Sequence, residues 1–486
     1  MKQPVEFRIE EIRQATGGTL LGGRVQQLVH GVCTDTREIE PGDLFVALKG
    51  ERFDGHAFLA QALARGAAGL LVAGAAVPSL PTLETGPDAS VPVIAVDEPR
   101  LALGRLALWH RSRFQVQLVG ITGSNGKTST KELLAEALAE FGPTLRTRGN
   151  FNNELGLPMT LLGLNEGHCY AALEMGMNHP GEIAYLASLA LPCVGLVTNI
   201  AAAHTAGVGD VEGVAAAKGE LYAALPPDGI AVVNLDDHRV VAQAATRTTA
   251  RRVTFGRAPG ADVHIVEAVP GGGRPGRGGG SQGVLEVDGS RLPVQLKLVG
   301  AHNVVNAAAA LAACLGLGLD CEQALSAMEL VPPSPHRMVL VRVQGRQVLD
   351  DCYNANPASM LAALDTLEQL VRQAGAAQGS AVRCFAVLGE MLELGELEEQ
   401  LHRQVGRRAA ELGLELLVTV GERARALGDE ARARGLGARW LHATEAAGVG
   451  RRLLGVTRPG DFVLLKGSRR VGLERVLDEL KQVEGE

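Results

Sequence analysis

The segment that most restricts the fold is a junction. An apolar strand pattern, Gln117–Ile121, runs into the loop Gly120-Ile-Thr-Gly-Ser-Asn-Gly-Lys-Thr128, and a helix pattern, Thr128–Glu140, follows at once. A strand feeding a helix through a glycine-rich turn belongs in a mainly parallel α/β sheet. Backbone N–H groups of such a loop surround phosphate oxygens, and the helix N-terminus adds partial positive charge. Lys127 is placed to reach terminal phosphates, and the Thr128 hydroxyl to bind Mg2+. The spacing departs from the general G-x-x-x-x-G-K-[ST] pattern, because its first position falls on Ile121 and the glycines stand at 120, 123 and 126. A glycine-rich turn with an incidental lysine is the competing reading, and the flanking strand and helix count against it. The predicted phosphate-contacting set is Gly123, Ser124, Asn125, Gly126, Lys127, Thr128 and Ser129.

The same strand–helix–strand order recurs along the chain, whose 486 residues exceed what one ordinary core accommodates. Strands are expected at Asp43–Leu48, Ala68–Val72 and Val91–Val96, then at Tyr170–Glu174, Val194–Asn199 and Gly229–Asn234. A further set falls at Gln347–Asp350, Cys384–Leu388, Leu416–Val420 and Asp461–Leu465. Three prolines in Pro332–His336 rule out helix and central strand and mark a linker. The expectation is three α/β domains, at 1–98, 99–334 and 335–486, the last Rossmann-like. Between Pro270 and Gly283 the glycine-rich run reads as a surface-loop expansion.

Composition narrows the partners. A net charge of −7 supplies no positive field for nucleic acid or an anionic membrane, so anionic ligands must be held by a few placed cations and helix N-termini. The seven cysteines include no C-x-x-C pair and no His/Cys grouping at zinc spacing, which fits a reducing compartment. The N-terminus shows no apolar signal-peptide core, and the apolar run Val304–Leu319 is too short for a membrane span and reads as a buried helix. A cytoplasmic protein is expected.

Ligands of open parallel sheets sit beyond the carboxyl ends of the strands. Glu174 ends one strand and is placed to hold Mg2+; Asp236 and Asp237 end another and compete on composition alone. His204 by itself reads as a structural histidine, and Lys218, within the helical stretch Val211–Leu225, as an exposed helix lysine. Asn303 reads as a helix cap.

Longer runs change these odds. Thr122–Thr128, Ala172–Ile183 (ALEMGMNHPGEI), Thr198–Leu221 (TNIAAAHTAGVGDVEGVAAAKGEL) and Gly300–Ala310 (GAHNVVNAAAA) closely resemble the corresponding runs of the Mur ligase family. The related folylpolyglutamate synthases carry Gly after the loop lysine, where this chain has Thr128. The resemblance implies ATP at the loop, with Asn303 near the adenine. It implies two Mg2+ sites served by Thr128, Glu174, His204 and Lys218, the last carbamylated by CO2. Lys127, Glu174, His204, Lys218, Arg337 and Asp351 are the implied catalytic set, with Arg337 and Asp351 completing the ATP site as the third domain closes about Pro332–His336.

Three runs, Gly149–Leu162, Asp350–Met360 and Val387–Glu396, are similar to the branch of the family that joins D-alanyl-D-alanine to UDP-N-acetylmuramoyl-tripeptide through an acyl phosphate. The resemblance implies a UDP-sugar-binding N-terminal domain contacting substrate through Asp35, Thr36 and Arg37. Further substrate contacts fall to Asn150, Asn152, Asn153, Tyr353, Asn354, Asn356, Lys466 and Arg469. Glu390 stands where the family has Asp, and Arg470 and Gly472 replace small residues. A monomer is the family expectation. The rivals are a folylpolyglutamate-type or other amino-acid-adding ligase, and a P-loop switch protein that hydrolyses ATP without an acceptor.

Overall fold

The computed structural model describes residues 5–50, 53–79, 91–203, 205–271 and 279–482. The chain separates into two compact units, one of residues 1–120, 142–176 and 182–193, the other of residues 121–141, 177–181 and 194–486.

The first unit holds a five-stranded sheet in the order Thr19–Gly22, Val93–Val96, Gly69–Ala73, Asp43–Val46, Gly31–Cys33. All neighbours are parallel except Thr19–Gly22, which runs antiparallel to Val93–Val96. The inner strands are short unbroken apolar runs because both faces are covered. Phe45, Leu59, Ala62, Leu70 and Val72 form their core. The same unit pairs Thr144–Arg146 with Tyr170–Glu174 in parallel.

Its helix Pro99–Arg111 starts with proline at its first position, where no N–H is needed, and with Glu98 accepting from the Arg100 N–H. On this helix His110 is buried, with Nε2 donating to the Leu164 carbonyl (2.9 Å) and its ring edge-on to Phe7 and Phe114. Burial holds its pKa down at about 4. Between that value and the ordinary 6.5 the unfolded chain binds more protons than the folded one, so stability falls as pH drops through this window. His110→Phe is expected to flatten the dependence of melting temperature on pH between about 6.5 and 4; an unchanged slope would remove His110 as its source.

In the second unit, strands follow the order Ser290–Leu296, Ser281–Val287, Val263–Pro270, Arg251–Gly256, Ile230–Asn234, Val194–Val197. The last four are parallel, as expected. The first three are antiparallel, and the parallel reading misses them. Their burial alternates along Ser281–Val287 and Ser290–Leu296, as in strands with one solvated face. Asp288-Gly289 turns between them with both φ positive (49° and 77°), the two-residue hairpin geometry that Asp-Gly favours. Within the glycine-rich run, residues 272–278 lie outside the described residues, but Ser281–Gly283 is strand rather than loop. Ser281 is buried and donates to the Leu298 carbonyl (2.6 Å).

Helix His302–Gly316 is buried along nearly its whole length, and its run of alanines admits close packing on helix Lys127–Ala139. A six-stranded sheet runs Val339–Val343, Arg346–Asp351, Phe462–Lys466, Cys384–Gly389, Leu416–Val420, Trp440–Ala443. It is parallel beyond its first, antiparallel pair. Side chains alternate across it: Leu349 faces one core, Val348 and Cys352 the other. Among the described residues no helix is long and apolar enough to cross a membrane.

Candidate functional site

In the second unit the phosphate loop is tightly determined. Gly123 (φ 146°) and Gly126 (φ 82°) hold conformations that side-chain-bearing residues rarely adopt. A Cβ would lie 1.8 Å from Thr198 Oγ1 at Gly123 and 2.3 Å from Asn306 Oδ1 at Gly126. Ser124 N–H donates to the Asn199 carbonyl (2.9 Å), and Asn125 N–H to Asn199 Oδ1 (3.0 Å). Thr198 Oγ1 and Asn199 Nδ2 both donate to the Asn125 carbonyl (2.6 and 3.1 Å). Lys127 Nζ curls back onto the Gly123 carbonyl (2.7 Å), inside the loop it follows. Thr128 is buried and Ser129 half-buried in the first turn of helix Lys127–Ala139.

Lys218 departs from its default reading. It lies on helix Val211–Ala223 but is only 1% exposed. Burial, and then the charge of Lys127, lower its pKa well below the usual lysine range. Only the neutral amine attacks CO2, so a carbamate fits this position. Asp236 and Asp237 are committed elsewhere. Asp236 accepts from the N–H groups of Arg257 and Ala258, while Asp237 caps helix His238–Arg247 and accepts from Ile200 N–H (2.7 Å). His204 lies outside the described residues.

Asn303 is buried, its amide donating to the Val299 carbonyl (2.8 Å) and accepting from Asn306 Nδ2 (3.0 Å). Asn306 thus links Asn303 to Gly126. Thr198, Asn199 and Asn306 are absent from the sequence-predicted set. The three-residue step from Asn303 to Asn306 on one helix face is the signal that would have found the last.

The six-stranded sheet brings a second group to the carboxyl ends of its strands. Asp351 and Lys466 are register partners, and Lys466 Nζ donates to Asp351 Oδ2 (2.6 Å) and to the Asn354 carbonyl (3.1 Å). Both charges also act on the half-buried His302 ring. The Arg337 guanidinium lies 4.0 Å from the centre of the Tyr353 ring. Asn356 caps helix Pro357–Gln378 through its oxygen, while its amide donates to Asn125 Oδ1 (2.7 Å). The run Asp350–Met360 and the phosphate loop are therefore joined directly. The Glu393 backbone carbonyl in Val387–Glu396 accepts from Ala206 N–H (3.2 Å). The longer Glu390 accepts from Arg423 N–H (3.0 Å) and packs over Gly421, which gives this departure from the family pattern a local use. Arg469 is largely exposed beside Glu474.

In the first unit Glu174 ends its strand buried. Its oxygen accepts from Asn152 Nδ2 (2.8 Å) and its N–H donates to Thr147 Oγ1 (2.9 Å). Asn153 Oδ1 accepts from Gly156 N–H (2.9 Å) at a helix start, and Asn150 is exposed. Asp35 accepts from the N–H and guanidinium of Arg37, which hold its carboxyl at about 2. Arg37 is 83% exposed and Thr36 is buried against Gln61.

Three family models cover most of the chain: the Mur ligase family catalytic domain at residues 28–111, the Mur ligase middle domain at 121–314, and the Mur ligase glutamate ligase domain at 336–469. The UDP-N-acetylmuramoyl-tripeptide--D-alanyl-D-alanine ligase of Escherichia coli (strain K12) is 35% identical over 98% of this chain and 99% of its own. The chain belongs to the Mur ligase family. Its three-domain α/β architecture is that of the family's solved members. A crystal structure of MurF from Acinetobacter baumannii is similar at a TM-score of 0.85 and 32% identity, covering 99% of this Mur ligase and all of that chain. MurF from Thermotoga maritima, solved in complex with ADP, is similar at a TM-score of 0.79 and 27% identity, over 93% and 97% of the two chains.

Proposed function

We propose that this Mur ligase joins D-alanyl-D-alanine to UDP-N-acetylmuramoyl-tripeptide at the expense of ATP, in cytoplasmic peptidoglycan precursor synthesis and as a monomer. The observation that carries the proposal is the hydrogen bond from Asn356 to Asn125, because it ties a run typical of the dipeptide-adding branch to the nucleotide loop. The domains are assigned to UDP-muramoyl peptide binding (1–98), ATP binding (99–334) and the dipeptide side (335–486).

In this scheme the loop amides of residues 123–129 hold the triphosphate, and Lys127 leaves the Gly123 carbonyl to meet its terminal phosphates. Asn303 contacts the base, and Arg337 and Asp351 complete the nucleotide site. Thr128, Glu174, His204 and a carbamylated Lys218 would hold two Mg2+ ions, which when bound would offset the charge of two anions brought together. The tripeptide carboxylate forms a bond to the γ-phosphorus and ADP leaves, giving an acyl phosphate. The dipeptide amine then bonds to that carbonyl carbon, loses a proton, and phosphate departs. Asp35, Thr36, Arg37, Asn150, Asn152 and Asn153 are assigned to the UDP-muramoyl peptide. Tyr353, Asn354, Asn356, Lys466 and Arg469 are assigned to the dipeptide side, with Lys466 oriented by Asp351.

An acceptor panel tests the choice within the family. With ATP and the UDP-muramoyl tripeptide present, D-alanyl-D-alanine is expected to be consumed far faster than single amino acids, including glutamate and diaminopimelate. Preference for a single amino acid would overturn the assignment and favour another amino-acid-adding branch.

A further inference from the structure

The strand Arg346–Asp351 carries Asp351 on one face, and on the other a cluster that the ligase chemistry leaves unused. Asp350 is buried, with its side chain 5% exposed. His336 Nδ1 lies 2.8 Å from Asp350 Oδ2, Cys352 Sγ donates to Asp350 Oδ1 (2.9 Å), and Cys352 Sγ stands 3.6 Å from His336 Nδ1. The three potential ligand atoms all lie within 4.8 Å of one another.

We propose that His336 Nδ1, an Asp350 carboxylate oxygen and Cys352 Sγ form a binding site for a thiophilic divalent cation of the zinc class. Thiolate, imidazole and carboxylate together suit zinc-class ions, whereas Mg2+ prefers oxygen ligands alone. Zinc–ligand bonds of about 2.0–2.3 Å in a tetrahedron place ligand atoms roughly 3.4–3.6 Å apart. The cluster reaches that spacing once Asp350 relaxes by about half an ångström, its hydrogen bonds being replaced by bonds to the ion. On binding, the Cys352 S–H proton passes to solvent and an S–metal bond forms, while His336 binds through the Nδ1 lone pair with its proton on Nε2.

Burial and Asp350 otherwise keep Cys352 a neutral thiol, so the site is a hydrogen-bonded cluster until an ion arrives. His336 and Asp350 stand 14 positions apart, which hides the site from any reading of ligand spacing. His336 ends the proline-rich linker and precedes Arg337, while Asp350 and Cys352 flank Asp351. A bound ion would therefore fasten the linker's end to the strand that carries Asp351.

Cobalt(II) titration of the full-length protein, followed by absorption, tests this independently of ligase activity. One equivalent is expected to give a thiolate-to-cobalt charge-transfer band that Zn2+ abolishes and excess Mg2+ does not. Cys352→Ser is expected to lose the band, and His336→Gln to weaken binding by at least about 10-fold, both with thermal unfolding unchanged in chelator. Absence of a thiolate band in the parent protein would overturn the proposal, as would a band that survives in Cys352→Ser. Should the serine variant fail to fold, unaltered cobalt affinity in His336→Gln would overturn it alone.

Discussion

Lys218→Met is expected to cut ligase turnover by about 10²–10³-fold, the scale of losing one preorganised electrostatic group, while leaving the melting temperature equal or higher. The two effects separate because Lys218 is a poor choice for stability. Burial, and then the charge of Lys127, lower its pKa well below the ordinary 10.5 that the unfolded chain keeps. Between the folded and unfolded pKa the unfolded chain binds more protons, so stability rises with pH, and below that window the native state carries the cost of the lowered pKa. Methionine keeps the apolar stem and removes that cost. Paired calorimetry and phosphate-release assays read both quantities. Full activity in the variant would end the carbamate assignment, and a large fall in melting temperature would mean that the amine has a structural partner worth more than its burial costs.

Lys466→Met is expected to destabilise the protein by about 3 kcal/mol, because it leaves Asp351 charged and unpaired at a largely enclosed strand end. The lower end of the range for broken buried pairs applies, since Lys466 is 2% exposed but Asp351 retains 16%. Adding Asp351→Asn removes the orphaned charge and is expected to restore much of the loss. Urea unfolding of the two single variants and the double variant measures this directly, provided the m-values agree. Additive losses would show that the two side chains do not act as a pair.

Much of this is legible in the sequence for physical reasons. Tyr170–Glu174 and Leu416–Val420 are short, apolar and bounded by turn residues, and they are strands over those residues. The phosphate loop declares itself because Gly123 and Gly126 answer to close neighbours that admit no side chain. Lys218 is less readable. Its helix is so rich in Ala and Gly that no polar face stands out against a buried one, and an isolated lysine takes the exposed default. The antiparallel strands hide behind the glycine-rich run, although the Asp288-Gly289 turn marks them. Contacts between distant positions, such as Asn356 with Asn125 or Asn306 with Gly126, have no local signature and follow from the tertiary fold.

The most direct test of the central claim is phosphate release from ATP in the presence of UDP-muramoyl tripeptide, with and without D-alanyl-D-alanine, with the product weighed by mass spectrometry. Release that depends on the dipeptide, accompanied by a UDP-muramoyl pentapeptide, is the predicted result. ATP turnover indifferent to the dipeptide, with no pentapeptide formed, would contradict it.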